Sequence, residues 1–285
     1  MTKLYLSNLL FMKIIHFKLL LISGITILMF SCNDSTPPTE NLLVDSTTTK
    51  ETTELVKNTV KIPSPIELFS FIYDANAKFN KDHLNSTDNR TKYITNQKKA
   101  INLGIYASDL GYCTVFKQNK ETFAYFSITK KMADDLGLTQ GFDEKIVKRI
   151  DQNMSNSDSL YQISNDSYST AIRFLEQQGQ GDLLPLMITG AWIESVNIAI
   201  KSVDKFNPEN EIVLRVADQG LLLENLLEMY KTLNQDSQQS DLYKKLLDLQ
   251  QSFDKLYDNT DQIITKRQFD EISVKVKSIR AELIG

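Results

Sequence analysis

The stretch Leu183-Leu-Pro-Leu-Met-Ile-Thr-Gly-Ala-Trp-Ile-Glu-Ser-Val-Asn-Ile-Ala-Ile-Lys-Ser-Val203 is apolar on almost every face. A helix of that kind is either a membrane span or the centre of a packed bundle. Glu194, Asn197 and Lys201 fall in its second half, where a span would carry them through hydrocarbon at high cost. Asp182 stands where an N-cap belongs, and Pro185 lies in the first turn, where its missing N–H costs little. The stretch therefore predicts a buried core helix around which the rest of the chain packs.

A partner for it is legible upstream. Ala100, Gly104, Ala107 and Gly111 fall at i, i+4, i+7 and i+11, one stripe of small residues along a helix. Each glycine inside a helix costs about 1 kcal/mol against alanine. Close approach of a second helix is the usual compensation, and Gly190 with Ala191 offers the matching surface.

Helical periodicity continues on both sides. Ser64-Pro65 opens a helix of about fifteen residues carrying Leu68, Phe69, Ile72 and Phe79, followed by a polar loop over 80–90. Helices are expected over about 93–118 and 120–136, the second stopped by Gly137, then over 143–154 and from Ser157 to Gly179. Asn207-Pro208 starts another with Val213, Val216, Ala217, Gly220, Leu223, Leu227 and Tyr230 on one face. A polar loop over 234–240 precedes two last helices. Leu242, Leu246, Leu249, Phe253 and Leu256 line the first, and Phe269, Ile272, Val276, Ile279 and Leu283 the second, as in an antiparallel coiled pair. Thr265 with Gln268 forms a capping box. The fold class is all-α: a single multi-helix bundle or a TPR-like helical array of about eight to nine antiparallel helices over 63–285.

The N-terminal part reads differently. Residues 1–31 hold Lys3, Lys13 and Lys18, no acid, and an apolar run from Leu19 to Phe30, the pattern of a secretory signal peptide; Met12 is an alternative start. Residues 32–62 are rich in Thr, Ser, Asn and charge and have no aromatic residue, so they are expected to form a disordered tether. Removing the leader takes three lysines and no acid from a chain of formal charge −4, leaving about −7. That balance argues against nucleic acid as a partner, because phosphate recognition requires a basic face.

Few residues offer chemistry. Asp109 has Tyr106 at i−3, Tyr112 at i+3 and Cys113 at i+4; Gly190, Glu194, Asn197 and Lys201 share a face of the core helix, with Trp192 adjacent. A carboxylate among apolar and aromatic neighbours has a raised pKa unless paired. Tyr106, Asp109, Tyr112, Trp192, Glu194 and Asn197 are thus a candidate ligand pocket, with Asp109 and Glu194 as acid and base in the catalytic alternative. The other reading is that both acids satisfy polar groups within the core. With the leader gone, His83 is the one histidine and Cys113 the one thiol besides Cys32, so no metal site of the usual kind is expected. Ser/His/Asp sets, Gly-rich phosphate loops and nucleophile elbows are absent from the sequence, and no cofactor is implied. Cys113 reads as a small buried hydrophobe.

Leu28-Met29-Phe30-Ser31-Cys32 resembles a bacterial lipobox of relaxed type. The resemblance implies cleavage before Cys32, diacylglycerol on its thiol and an acylated amine. Two or three acyl chains anchor stably where one binds only marginally. Together with Ile62-Pro63-Ser64-Pro65, the run Asn102 to Tyr112 and Gly190-Ala191-Trp192-Ile193-Glu194, the chain resembles a group of all-helical lipoproteins of Bacteroidetes. Asp34-Ser35-Thr36 and Asp45-Ser46-Thr47 look like O-glycosylation sites of those bacteria, or are simply part of a Thr-rich linker. The resemblance implies a lipid-anchored cell-envelope domain, at the outer membrane, and carries no catalytic residue across. The expectation is a non-enzymatic helical domain that meets the bilayer through acylated Cys32 and binds an envelope protein partner or a small ligand. A hydrolase or lyase using Asp109 and Glu194, or a purely structural subunit, is the alternative.

Overall fold

The computed structural model describes residues 64–138, 144–153, 156–177, 182–233, 240–259 and 263–285. The leader with Met12, Cys32, the tether of residues 32–62, its two Asp-Ser-Thr sites and most of the polar loop over 234–240 lie outside them. The described residues fall within Lys57–Gly285, one of two units into which the chain divides. They form α-helices and no strand: α1 Pro65–Asp74, α2 Asn96–Val115, α3 Asn119–Asp135, α4 Glu144–Asn153 and α5 Ser157–Gln177, then α6 Leu183–Lys201, α7 Glu211–Ala217, α8 Gln219–Lys231, α9 Asp241–Asp254 and α10 Lys266–Ile284. Two short 3-10 turns, Lys81–His83 and Thr87–Lys92, join α1 to α2.

The core is the pair α2 and α6. A Cβ on Gly104 would stand 1.9 Å from the Met187 carbonyl oxygen and 2.8 Å from the Ala191 nitrogen. One on Gly190 would stand 1.9 Å from the Ile101 carbonyl oxygen. Backbone meets backbone at both points, so neither position tolerates a side chain and the glycine cost in helix propensity is offset by packing. Further along, Asp109 reaches Glu194, so the two helices run parallel, with three others between them in the chain. Gly111 serves another neighbour: its Cβ would meet Ile66 Cγ1 at 3.0 Å and the Phe69 ring at 3.4 Å, both on α1. The small-residue stripe is therefore shared between α6 and α1.

Helix α6 is long and apolar enough to cross a membrane by composition, yet it is buried within the fold from Leu184 to Ile200 apart from Leu186. Along it lies α10, antiparallel, with Phe206 beside Phe269 (ring centroids 5.5 Å apart) at one end and Glu194 on Arg280 towards the other. Helices α9 and α10 are likewise antiparallel. Lys255 and Ser252 meet Glu271, Lys275 meets Asp248, and Lys245 meets Glu282. Thr265 and Gln268 make the expected capping box at the start of α10.

Local departures from the sequence reading have local causes. Helix α1 ends at Asp74 rather than near Phe79, because Asn76 adopts φ 64° and reverses the chain. Phe79 stacks instead on Tyr112, ring centroids 5.1 Å apart. Asp182 precedes α6, but its side chain makes no capping bond. The expected single helix from Asn207 begins later, where Asn210 Oδ1 accepts from the N–H groups of Ile212 and Val213. It is interrupted at Asp218, next to Gly220, whose missing Cβ makes room for Phe253.

Candidate functional site

Asp109 on α2 and Glu194 on α6 meet in the core, both completely buried. Arg280, from α10, closes the group with a two-pronged contact: Nε donates to Glu194 Oε2 at 2.5 Å and Nη2 to Oε1 at 2.7 Å. Nη2 also donates to the His83 carbonyl oxygen at 3.3 Å. This fork-on-carboxylate geometry is the strong form of ion pair. Burial alone would pull the Arg280 pKa down; the hydrogen bonds and charge of Glu194 outweigh it and hold the guanidinium above its ordinary value.

Asp109 is the odd member. Its Oδ2 accepts from the Asn85 N–H at 3.1 Å, while Oδ1 has no donor. Burial first, then the neighbouring Glu194 charge, pushes its carboxyl well above the usual carboxylate range, against the opposing pull of Arg280. A protonated Asp109 can donate to Glu194, which lies in hydrogen-bond contact. The group then carries one negative and one positive charge and is neutral overall. An ionised Asp109 would leave a net charge sealed in the core, an expensive arrangement.

Around the acids runs a belt of tyrosines that pins the segment between α1 and α2. Tyr125 donates to the Asn85 carbonyl at 2.7 Å and Tyr106 to the Ser86 carbonyl at 2.8 Å. Tyr93 accepts from Asn85 Nδ2 at 3.1 Å and donates to the Ile284 carbonyl at 3.3 Å. Tyr112 accepts from the Asn80 N–H at 3.0 Å, and burial pushes its hydroxyl up to about 12. These bonds let a polar stretch enter the core, so that Asn85 is buried and presents its backbone N–H to Asp109. His83 is buried too, its pKa lowered by burial and then by the charge of Lys201.

The structure thus brings Asp109, Glu194 and Tyr106 into one neighbourhood and turns Tyr112 and Trp192 to other surroundings. Tyr112 turns to an aromatic cluster with Phe69, Phe79 and Phe116. Asn197 is buried with neither amide atom hydrogen-bonded. Lys201 stays half-buried, its pKa lowered by burial and by the Arg280 charge. Trp192 faces a different space, a cleft of about 250 Å³ walled by α1, α5, α6, α7 and α8. Cys113 is buried as expected, and burial pushes its thiol well above the ordinary value.

Comparison with known protein families, with curated proteins and with solved structures gives no match. The reading of the site therefore rests on its own chemistry.

Arg280 and Asn85 were not among the residues that the sequence singled out. Arg280 had a signal: it sits at i+4 from Val276 and i−3 from Leu283, on the apolar stripe of α10, and a buried carboxylate needs a cation. Asn85 had none, since it acts through its backbone and its burial depends on tyrosines scattered over α2 and α3. Chemically, the carboxylates hold a proton and an ion pair in place. Neither acid has an exposed atom.

Proposed function

We propose that this chain is a lipid-anchored, non-enzymatic binding domain of the cell envelope. Acylated Cys32 holds it to the bilayer, the outer membrane being the favoured one, and residues 33–62 act as the tether. The helical domain takes a small ligand. The observation that carries the non-catalytic reading is the Arg280 fork on a fully buried Glu194. A hydrolase or lyase would need that carboxylate and Asp109 at a surface a substrate can reach, and both are engaged inside the core. Space for a ligand lies instead at the Trp192 cleft, one helix face away from the acids.

The anchor is tested by expressing the full chain and its Cys32→Ala variant in a bacterial envelope host with labelled palmitate. The wild type is expected to take up label and sediment with membranes, and Cys32→Ala to do neither. A Cys32→Ala chain that is still labelled and membrane-bound would overturn the anchor.

A further inference from the structure

The cleft has an uneven polar inventory. Its walls include Phe71 and Ile188, and it is bordered by Tyr168, Trp192, Arg215 and Gln219. The Trp192 ring lines the cleft at 4% exposure, while its indole N–H is sealed beneath the surface, with no hydrogen-bond partner among the described residues. The Tyr168 hydroxyl, on a buried side chain, has no partner among the described residues either. The Arg215 guanidinium lies 4.2 Å over the Phe71 ring, and its ion pair with Asp218 is exposed and long, at 3.4 Å. Gln219 has already spent its Nε2 on the Arg215 carbonyl at 3.2 Å. Two donors, the Tyr168 hydroxyl and the Arg215 guanidinium, thus border one space with apolar walls.

We infer that this cleft binds a small monocarboxylate with an apolar body, an inference that rests on the ligand-binding reading above. The arginine fork and the phenol donor beside it call for an acceptor that is planar and negative, which a carboxylate supplies. One cation, with Glu67 exposed on the rim and Asp218 beside Arg215, does not suit a phosphate dianion. The body packs on Phe71 and Ile188. A cleft of about 250 Å³ lies just below the usual range of roughly 300–1,000 Å³ for drug-sized ligands, which fits a single ring or a short branched chain.

Trp192 is the chain's one tryptophan, so its fluorescence reads occupancy of this cleft. The full chain in mild detergent would be titrated with phenylacetate, isovalerate, neutral benzyl alcohol and phenylphosphonate at pH 8, each up to about 10 mM, where even contacts worth only about 3–4 kcal/mol show. Both carboxylates are expected to give saturable changes. Arg215→Met and Tyr168→Phe should weaken phenylacetate at least about tenfold and severalfold respectively, given what a hydrogen bond to a charged group is worth. The Arg215 side chain is 42% exposed, and Tyr168→Phe removes one oxygen, so unfolding is not the expected outcome of either; far-ultraviolet circular dichroism checks this. Benzyl alcohol or phenylphosphonate binding as well as phenylacetate would overturn the monocarboxylate class and leave a ligand-binding domain. No saturable response to any probe would overturn both.

Discussion

Gly104→Ala puts the packing of α2 on α6 to its sharpest test. The new Cβ would lie 1.9 Å from the Met187 carbonyl oxygen and 2.8 Å from the Ala191 nitrogen. A carbon–oxygen contact settles at about 3.3 Å or more, so the helices must part by roughly 1.4 Å. Neither clashing atom belongs to a side chain that can swing away. Gaps of 0.5–1 Å already forfeit about a quarter to a half of a van der Waals well, and this interface runs the length of two core helices. Overpacking usually costs about 1–3 kcal/mol, and a backbone clash belongs at or above the top of that range, about 3–5 kcal/mol. Alanine recovers about 1 kcal/mol in helix propensity. The net loss is therefore about 2–4 kcal/mol, a fall of roughly 4–16 °C in melting temperature for a domain of this size. Gly111→Ala is the control: its Cβ would meet movable side chains at 3.0 and 3.4 Å. The propensity gain should then leave it within about 1 kcal/mol of wild type. Thermal unfolding followed by circular dichroism measures both. A Gly104→Ala protein that melts with Gly111→Ala and wild type would refute the close approach.

Two further outcomes follow from the polar core. Asp109 has a folded pKa raised well above its ordinary 3.8, so the folded state binds the extra proton and this group's stabilisation is complete below about pH 4 and declines as pH rises through the raised value. Asp109→Asn mimics the protonated form, so its stability relative to wild type, from urea titrations at successive pH values, should climb with pH from about 4 upward; a flat difference would count against the sealed, protonated carboxyl. Tyr125→Phe leaves the buried Asn85 carbonyl unpaired and should cost about 1–3 kcal/mol, with faster amide exchange concentrated in residues 80–92; unchanged exchange there would remove the tyrosines' pinning role.

Much of this architecture is legible in the sequence. The all-α class, the buried course of α6, its contact with α2 at Gly104 and Gly190, and the capping box at Thr265 all depend on short-range spacing and on the absence of a side chain. Such signals survive in a single sequence. What was illegible depends on tertiary context. The Asp109–Glu194 meeting was visible as two acids on two core helices, but Arg280 comes from a third helix far along the chain. Trp192 and Glu194 are two residues apart in α6 and so point about 200° apart, which sent one to the cleft and the other to the acids. The polar stretch over 80–90 reads as a surface loop because nothing within it says that four tyrosines will draw it inward. The break at Asp218 breaks no periodic pattern, since the apolar face runs through it.

The claim that Asp109 and Glu194 serve the core, and so leave recognition to the cleft, is tested most directly by a double-mutant cycle on Glu194→Gln and Arg280→Met. Arg280→Met alone strands a buried carboxylate and should cost about 3–5 kcal/mol. In the Glu194→Gln background the same change should cost far less, giving a coupling of at least about 2 kcal/mol by denaturant unfolding. A coupling near zero, with each single variant as stable as wild type, would contradict the account and return both groups to work on a ligand or a substrate.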